Sequence, residues 1–195
     1  MNICIYGASG DNIAPVFFAQ AEQLGTAIAA QGHTLVFGGG KTGLMGACAR
    51  GVSAGGGRII GIAPRFFDEP GVLYESCTEM IYTESMRERK FLMEEKSDAF
   101  IVLPGGIGTF EEFFETLTLN QLGRMSKPIV LYNTAGYYDR MLALLTYTAD
   151  TKFMSASVQE LYSVASTPEE AMEAIRAFIP ISQDDAMQRM TTYNK

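Results

Sequence analysis

The chain lacks the parts for several common kinds of chemistry. It has a single histidine, His33, which begins an expected strand far from any glycine turn. No Ser-His or Cys-His nucleophile system can be assembled around it. Its three cysteines, Cys4, Cys48 and Cys77, are odd in number and scattered. They have no metal-ligand spacing, so they read as reduced thiols of a cytoplasmic protein, with no metal site expected. There is no basic block: 15 basic residues face 22 acidic ones, a formal net charge of −7. That balance argues against a nucleic-acid surface and leaves single nucleotides open as ligands. A charged leader and a long apolar run are also missing, because "MNICIYGASG" enters a strand at once; neither a signal peptide nor a membrane span is expected. No repeat, low-complexity segment or linker interrupts the chain.

What the chain has is alternation. Short apolar runs ("NICIYG", "HTLVFGGG", "RIIGIAP", "EMIYTES", "DAFIVLPGG", "KPIVLYN", "ELYSVAS") are separated by helical patterns. The pattern over 14–31 places Phe17, Ala21, Leu24 and Ile28 on one face. Further helices are expected over 44–52, 85–96, 109–122, 137–149 and from Thr167 onward, with Pro168 at the first helical position. Such an order predicts an α/β fold, a doubly wound parallel sheet in a single domain over 1–181. The polar segment 182–195 reads as a detachable tail.

In sheets of this kind ligands lie beyond the carboxyl ends of the strands, which singles out three glycine turns. "FGGGKTG" ends like a phosphate-binding P-loop, but the glycine required five positions before Gly40 is Leu35. "YGASGD" lacks the third glycine of a dinucleotide fingerprint, and its Ser9 either bonds a ligand or caps a helix. "LPGGIGTFEE" is the stronger signal: three glycines follow a buried strand and open a helix, the setting in which amides close on a phosphate. Thr109-x-x-Glu112 also has the form of a capping box. That box does not account for Gly105, Gly106 and Gly108, or for Glu115 one turn further along the same face. Upstream, Arg89 and Lys90 sit one short helix away, whereas Arg87 reads as solvated. The helix 109–122 carries Phe110, Phe113, Phe114, Leu117 and Leu119, more apolar surface than one buried stripe needs, so a homodimer is expected.

The paired stretches "ESMRERK" and "DAFIVLPGGIGTFEE" resemble the LONELY GUY family, with its M-x-x-R-K and P-G-G-x-G-T-x-x-E motifs, and the likeness spans nearly the whole chain. It implies a Rossmann-like fold and hydrolysis of the N-glycosidic bond of cytokinin riboside 5′-monophosphates, or of adenosine monophosphate, to free base and ribose 5-phosphate. It implies Arg89 and Glu112 as catalytic residues. Met86, Lys90, Gly105, Gly106, Gly108, Thr109, Glu115 and Thr118 are implied as substrate-binding residues, in a dimer with its site near the interface and without a cofactor. Family members are often labelled lysine decarboxylases, although no pyridoxal site can be argued from this sequence. Arg87, Leu119 and Phe66 depart from the family pattern, around the base pocket. Two other readings are a nucleotide-binding module without catalysis and a nicotinamide-dependent oxidoreductase; the missing fingerprint disfavours the second. A substrate of the family's kind explains why glycines and glutamates adjoin. Its phosphate needs amides, while the ribose develops positive charge as the bond to the base breaks.

Overall fold

Successive residues of β1 (Asn2–Tyr6) point into two separate cores. In the computed structural model, which describes residues 1–180, Ile3 and Ile5 pack on one side of the sheet and Cys4 and Tyr6 on the other. A strand buried on both faces has to be apolar at every position, which is why these runs show no polar alternation. β2 (Thr34–Phe37), β3 (Arg58–Pro64), β4 (Glu79–Thr83), β5 (Ala99–Val102), β6 (Ile129–Tyr132) and β7 (Ser163–Ala165) complete the sheet. All pairings are parallel, in the order β4-β3-β2-β1-β5-β6-β7. Apolar residues of α1 (Pro15–Ala30), α2 (Gly43–Ala54) and α6 (Pro168–Arg176) fill one core; those of α3 (Met86–Lys96), α4 (Ile107–Gln121) and α5 (Asp139–Asp150) fill the other. This is the expected single-domain, doubly wound α/β fold. The expected tail at 182–195 lies outside the described residues. No helix among the described residues is long and apolar enough to cross a membrane.

The strand order positions the site. The chain steps outward from β1 to β4, and α3 then carries it back to β5 on the other side of β1. The switch between β1 and β5 leaves a crevice at their carboxyl ends. The helices there begin in different ways. Ser85 caps α3 by accepting the Glu88 N–H at 3.2 Å, and Glu88 accepts the Glu84 N–H at 2.8 Å. Thr167 and Glu170 make the same reciprocal arrangement at α6. α4 differs. It begins at Ile107, two residues before the expected Thr109, and no side chain caps it.

Candidate active site

The turns after β1, β2 and β5 open onto one cleft of about 600 Å³, within the usual range for small-ligand sites. Gly7, Ala8 and Ser9 line it from β1, Gly38, Gly40 and Thr42 from β2, and residues 106–109 from β5. Phe67, Val72 and Leu73 form a wall from the segment after β3, with Met45 of α2; Met86 and Arg89 reach in from α3, and Glu111 and Glu112 from α4.

The start of α4 is the side of the cleft that offers uncapped amides. Gly106 is its extended N-cap residue. The first-turn amides have no intrahelical acceptor, so with no capping side chain they and the positive end of the helix dipole are free for a ligand. A Cβ at Gly106 or Gly108 would meet nothing within 4 Å, whereas one at Gly105 would sit 2.1 Å from Thr109 Oγ1. Gly106 and Gly108 thus keep the approach open, and Gly105 lets Thr109 fold beneath the loop. The start of α2 is already occupied: the Gly43 N–H donates to Asp11 Oδ1 at 2.7 Å and the Leu44 N–H to the Ala8 carbonyl at 2.8 Å. The Gly43 and Leu44 amides are therefore not free as those of α4 are, and Ser9 caps neither helix.

That turn serves Arg89 instead. A Cβ on Gly38 would lie 2.0 Å from Arg89 Nη2, so the guanidinium occupies the space that a side chain would take. Arg89 is 6% exposed. Its Nε donates to the Ile62 carbonyl at 3.3 Å and its Nη1 to Glu112 Oε1 at 3.2 Å. Glu112, 8% exposed, makes no capping bond, which removes the capping-box alternative. Burial pushes its carboxyl above the ordinary value, while the charge and hydrogen bond of Arg89 pull it back. The result is a buried carboxylate paired with one arginine, beside a row of free amides.

The cleft unites Arg89, Glu112, Met86, Gly106, Gly108 and Thr109 and leaves four expected residues outside its lining: Gly105, Lys90, Glu115 and Thr118. Lys90 pairs with Glu111 and, at 2.6 Å, with Glu115. Burial draws its ammonium down, but the two carboxylates outweigh it and its pKa stands above the ordinary lysine value. Beside them, burial and the charge of Glu115 push Glu94 up to about 7. Lys90 therefore ties α3 to α4. Thr118 faces outward and donates to the Phe114 carbonyl of its own helix at 2.7 Å. Sequence reasoning missed Gly38, Glu111 and the Phe67–Val72–Leu73 wall, together with two tyrosines that touch the loop from behind. His33 lies near the amino terminus, 3.5 Å from the Met1 nitrogen, away from the cleft. Among the described residues no three His, Cys, Asp or Glu side chains group as a metal site. No lysine lines the cleft, where a pyridoxal Schiff base would need one.

Residues 45–175 match the family model described as "Possible lysine decarboxylase". A cytokinin riboside 5′-monophosphate phosphoribohydrolase of Mycobacterium tuberculosis is 38% identical over 88% of this chain and 91% of its own length. Proteins of the same name from Rhodococcoides fascians (40% identical, 80% of each chain) and Arabidopsis thaliana (33%, 98% of this chain and 90% of the relative) also match. Among solved structures, the molybdenum cofactor carrier protein of Chlamydomonas reinhardtii superposes with a TM-score of 0.67, covering 90% of this chain and 95% of that one, at 24% identity; this likeness speaks for the fold alone. With the two motifs meeting on one cleft, and relatives this similar along nearly their full length, the chain belongs to the LONELY GUY family of cytokinin riboside 5′-monophosphate phosphoribohydrolases.

Proposed function

We propose that the protein hydrolyses the N-glycosidic bond of nucleoside 5′-monophosphates, cytokinin ribosides among them, to free base and ribose 5-phosphate. The observation that carries this reading is the buried Arg89–Glu112 pair on the same cleft as the uncapped start of α4. The 5′-phosphate fits the amides of residues 106–109, which anchor one end of the substrate. As the bond to the base breaks, positive charge develops on the ribose. The Glu112 carboxylate faces that charge from a buried position, where its field is less screened, and orients the attacking water. Arg89 holds Glu112 by Nη1 and has further N–H groups for the departing base. Met45, Phe67, Val72 and Leu73 supply an apolar wall for the base.

The test is release of free base from a panel of nucleoside monophosphates. Because binding through phosphate is spent on holding the ribose, adenosine is expected to react with kcat/KM at least about 10²-fold below that of adenosine monophosphate. Equal rates would take the phosphate role from this loop. Tight binding of monophosphates without release of any base would favour the non-catalytic module.

The working form is proposed to be a cytoplasmic homodimer joined through α4. Phe113 and Leu117 are spent on the internal core, but Glu111, Phe114, Glu115, Thr118 and Leu122 make one outward stripe. Phe114 is 39% and Leu122 44% exposed, and Phe91 of neighbouring α3 is 56% exposed. Thr118 stands about 10 Å along this stripe from Glu111 at the cleft, so it would meet substrate only across such an interface. Light scattering at micromolar concentration is expected to give twice the chain mass; a monomer there would rule the interface out.

A further inference from the structure

The loop that opens α4 is held from behind by two consecutive tyrosines of the turn after β6. Tyr137 donates its hydroxyl to the Gly105 carbonyl at 2.6 Å, and buried Tyr138 donates to the Leu103 carbonyl at 2.6 Å. The turn itself is fixed. Asn133 Oδ1 accepts the Tyr138 N–H, and Asn133 Nδ2 donates to Asp139 Oδ1, both at 2.7 Å. Ala135 is held at φ 52°, a conformation that non-glycine residues rarely adopt.

We propose that Tyr137 is a positioning residue that aims the Gly106 amide at the phosphate of the substrate. The argument is the planarity of one peptide unit. No peptide bond among the described residues is cis, and in a trans unit the C=O and N–H point in opposite directions. The Gly105 carbonyl and the Gly106 N–H belong to the same unit. Anchoring the carbonyl on Tyr137, outside the cleft lining, turns the N–H to the opposite side, where Gly106 lines the cleft. Without the anchor the unit is free to rotate about its flanking bonds, and glycine on both sides offers little resistance. Preorganised donors bind an anion well because no reorganisation is needed when it arrives.

This proposal rests on a phosphorylated ligand occupying the cleft, so its test separates the two ideas. Tyr137→Phe keeps the ring that packs edge-on to Phe17 and Tyr138 and removes only the hydroxyl. Calorimetry with ribose 5-phosphate and with inorganic phosphate is expected to show binding weakened about tenfold, the loss of a modest charge-assisted bond. Free adenine should bind as to the wild type, and the KM for adenosine monophosphate should rise far more than kcat falls. A merely structural tyrosine would lower thermal stability and leave the ratio of phosphate to adenine affinity unchanged. Unchanged ribose 5-phosphate affinity in the variant overturns the proposal, as does a wild type that binds neither phosphate probe. A wild type that binds ribose 5-phosphate and releases no base from any monophosphate overturns the hydrolase reading, while weakened phosphate binding in Tyr137→Phe still upholds the role of Tyr137.

Discussion

Glu112→Gln is expected to fold, to bind adenosine monophosphate, and to release almost no base. Glutamine keeps the size of the side chain and can still accept from Arg89 Nη1, which holds the carboxylate at 3.2 Å. It carries no charge to face the ribosyl cation, and it cannot take a proton from water. Losing both contributions should lower kcat at least about 10²-fold. Since no side chain caps α4, the helix loses no capping bond, so a fall in turnover cannot be attributed to a frayed helix. Near-normal turnover by this variant would end the catalytic assignment. The pH dependence follows from the same group. Burial raises the Glu112 pKa more than Arg89 lowers it, so the acid limb of the wild-type rate profile should lie above the ordinary glutamate value of about 4.3. A carboxyl raised in the folded state favours folding once protonated. Acidification through that limb should therefore remove activity without destabilising the fold through this group. An acid limb at the ordinary value would contradict the burial argument.

Gly38→Ala is expected to be nearly as damaging, although Gly38 carries no chemistry. The new methyl would lie 2.0 Å from Nη2 and 3.0 Å from Cζ of Arg89. Gly38 does not occupy the left-handed region, so alanine fits the backbone, and what gives way is the end of a long side chain. The fold should survive with little change in melting temperature. The guanidinium, however, cannot keep both the Ile62 carbonyl and Glu112 once it is displaced. A shift of about 1 Å in a catalytic constellation costs on the order of 10²-fold in rate, and kcat for adenosine monophosphate should fall by that much. Wild-type kinetics in Gly38→Ala would mean that the observed position of Arg89 is not the one that matters.

Both residues show where sequence patterns reach their limit. Three of the expected helices open on the form Ser/Thr-x-x-Glu: Ser85 with Glu88, Thr109 with Glu112, and Thr167 with Glu170. The first and third close as caps; the middle one does not, and its glutamate turns to Arg89. Spacing alone cannot separate them, because the arginine that claims Glu112 arrives by a tertiary contact. The glycines ahead of Thr109 carry the local sign, since they let the helix begin at Ile107 and place Thr109 and Glu112 inside it. The alternation of apolar runs was sufficient for the sheet because every strand is read locally. Gly38 could not be read in that way; the atom it makes room for lies 51 positions further along the chain. Thr118 fell on an outward face for a similar reason: helical spacing assigns a residue to a face and does not say what that face meets. The tyrosines behind the loop were invisible because a hydroxyl bonding a distant carbonyl leaves no periodicity.

The crossover that returns the chain to the centre of the sheet has a consequence for how such a protein changes over time. Arg89 and Glu112 sit on the two helices that flank β5, so both proposed catalytic groups and the uncapped turn belong to the continuous stretch 86–121. The apolar wall proposed for the base is drawn from elsewhere, from Met45 and from Phe67, Val72 and Leu73 after β3. On the proposed reading, the catalytic pair and most of the apolar wall are thus written in separate stretches of sequence. Substitutions confined to the wall are then expected to change which base is accepted while the Arg89–Glu112 pair stays in place.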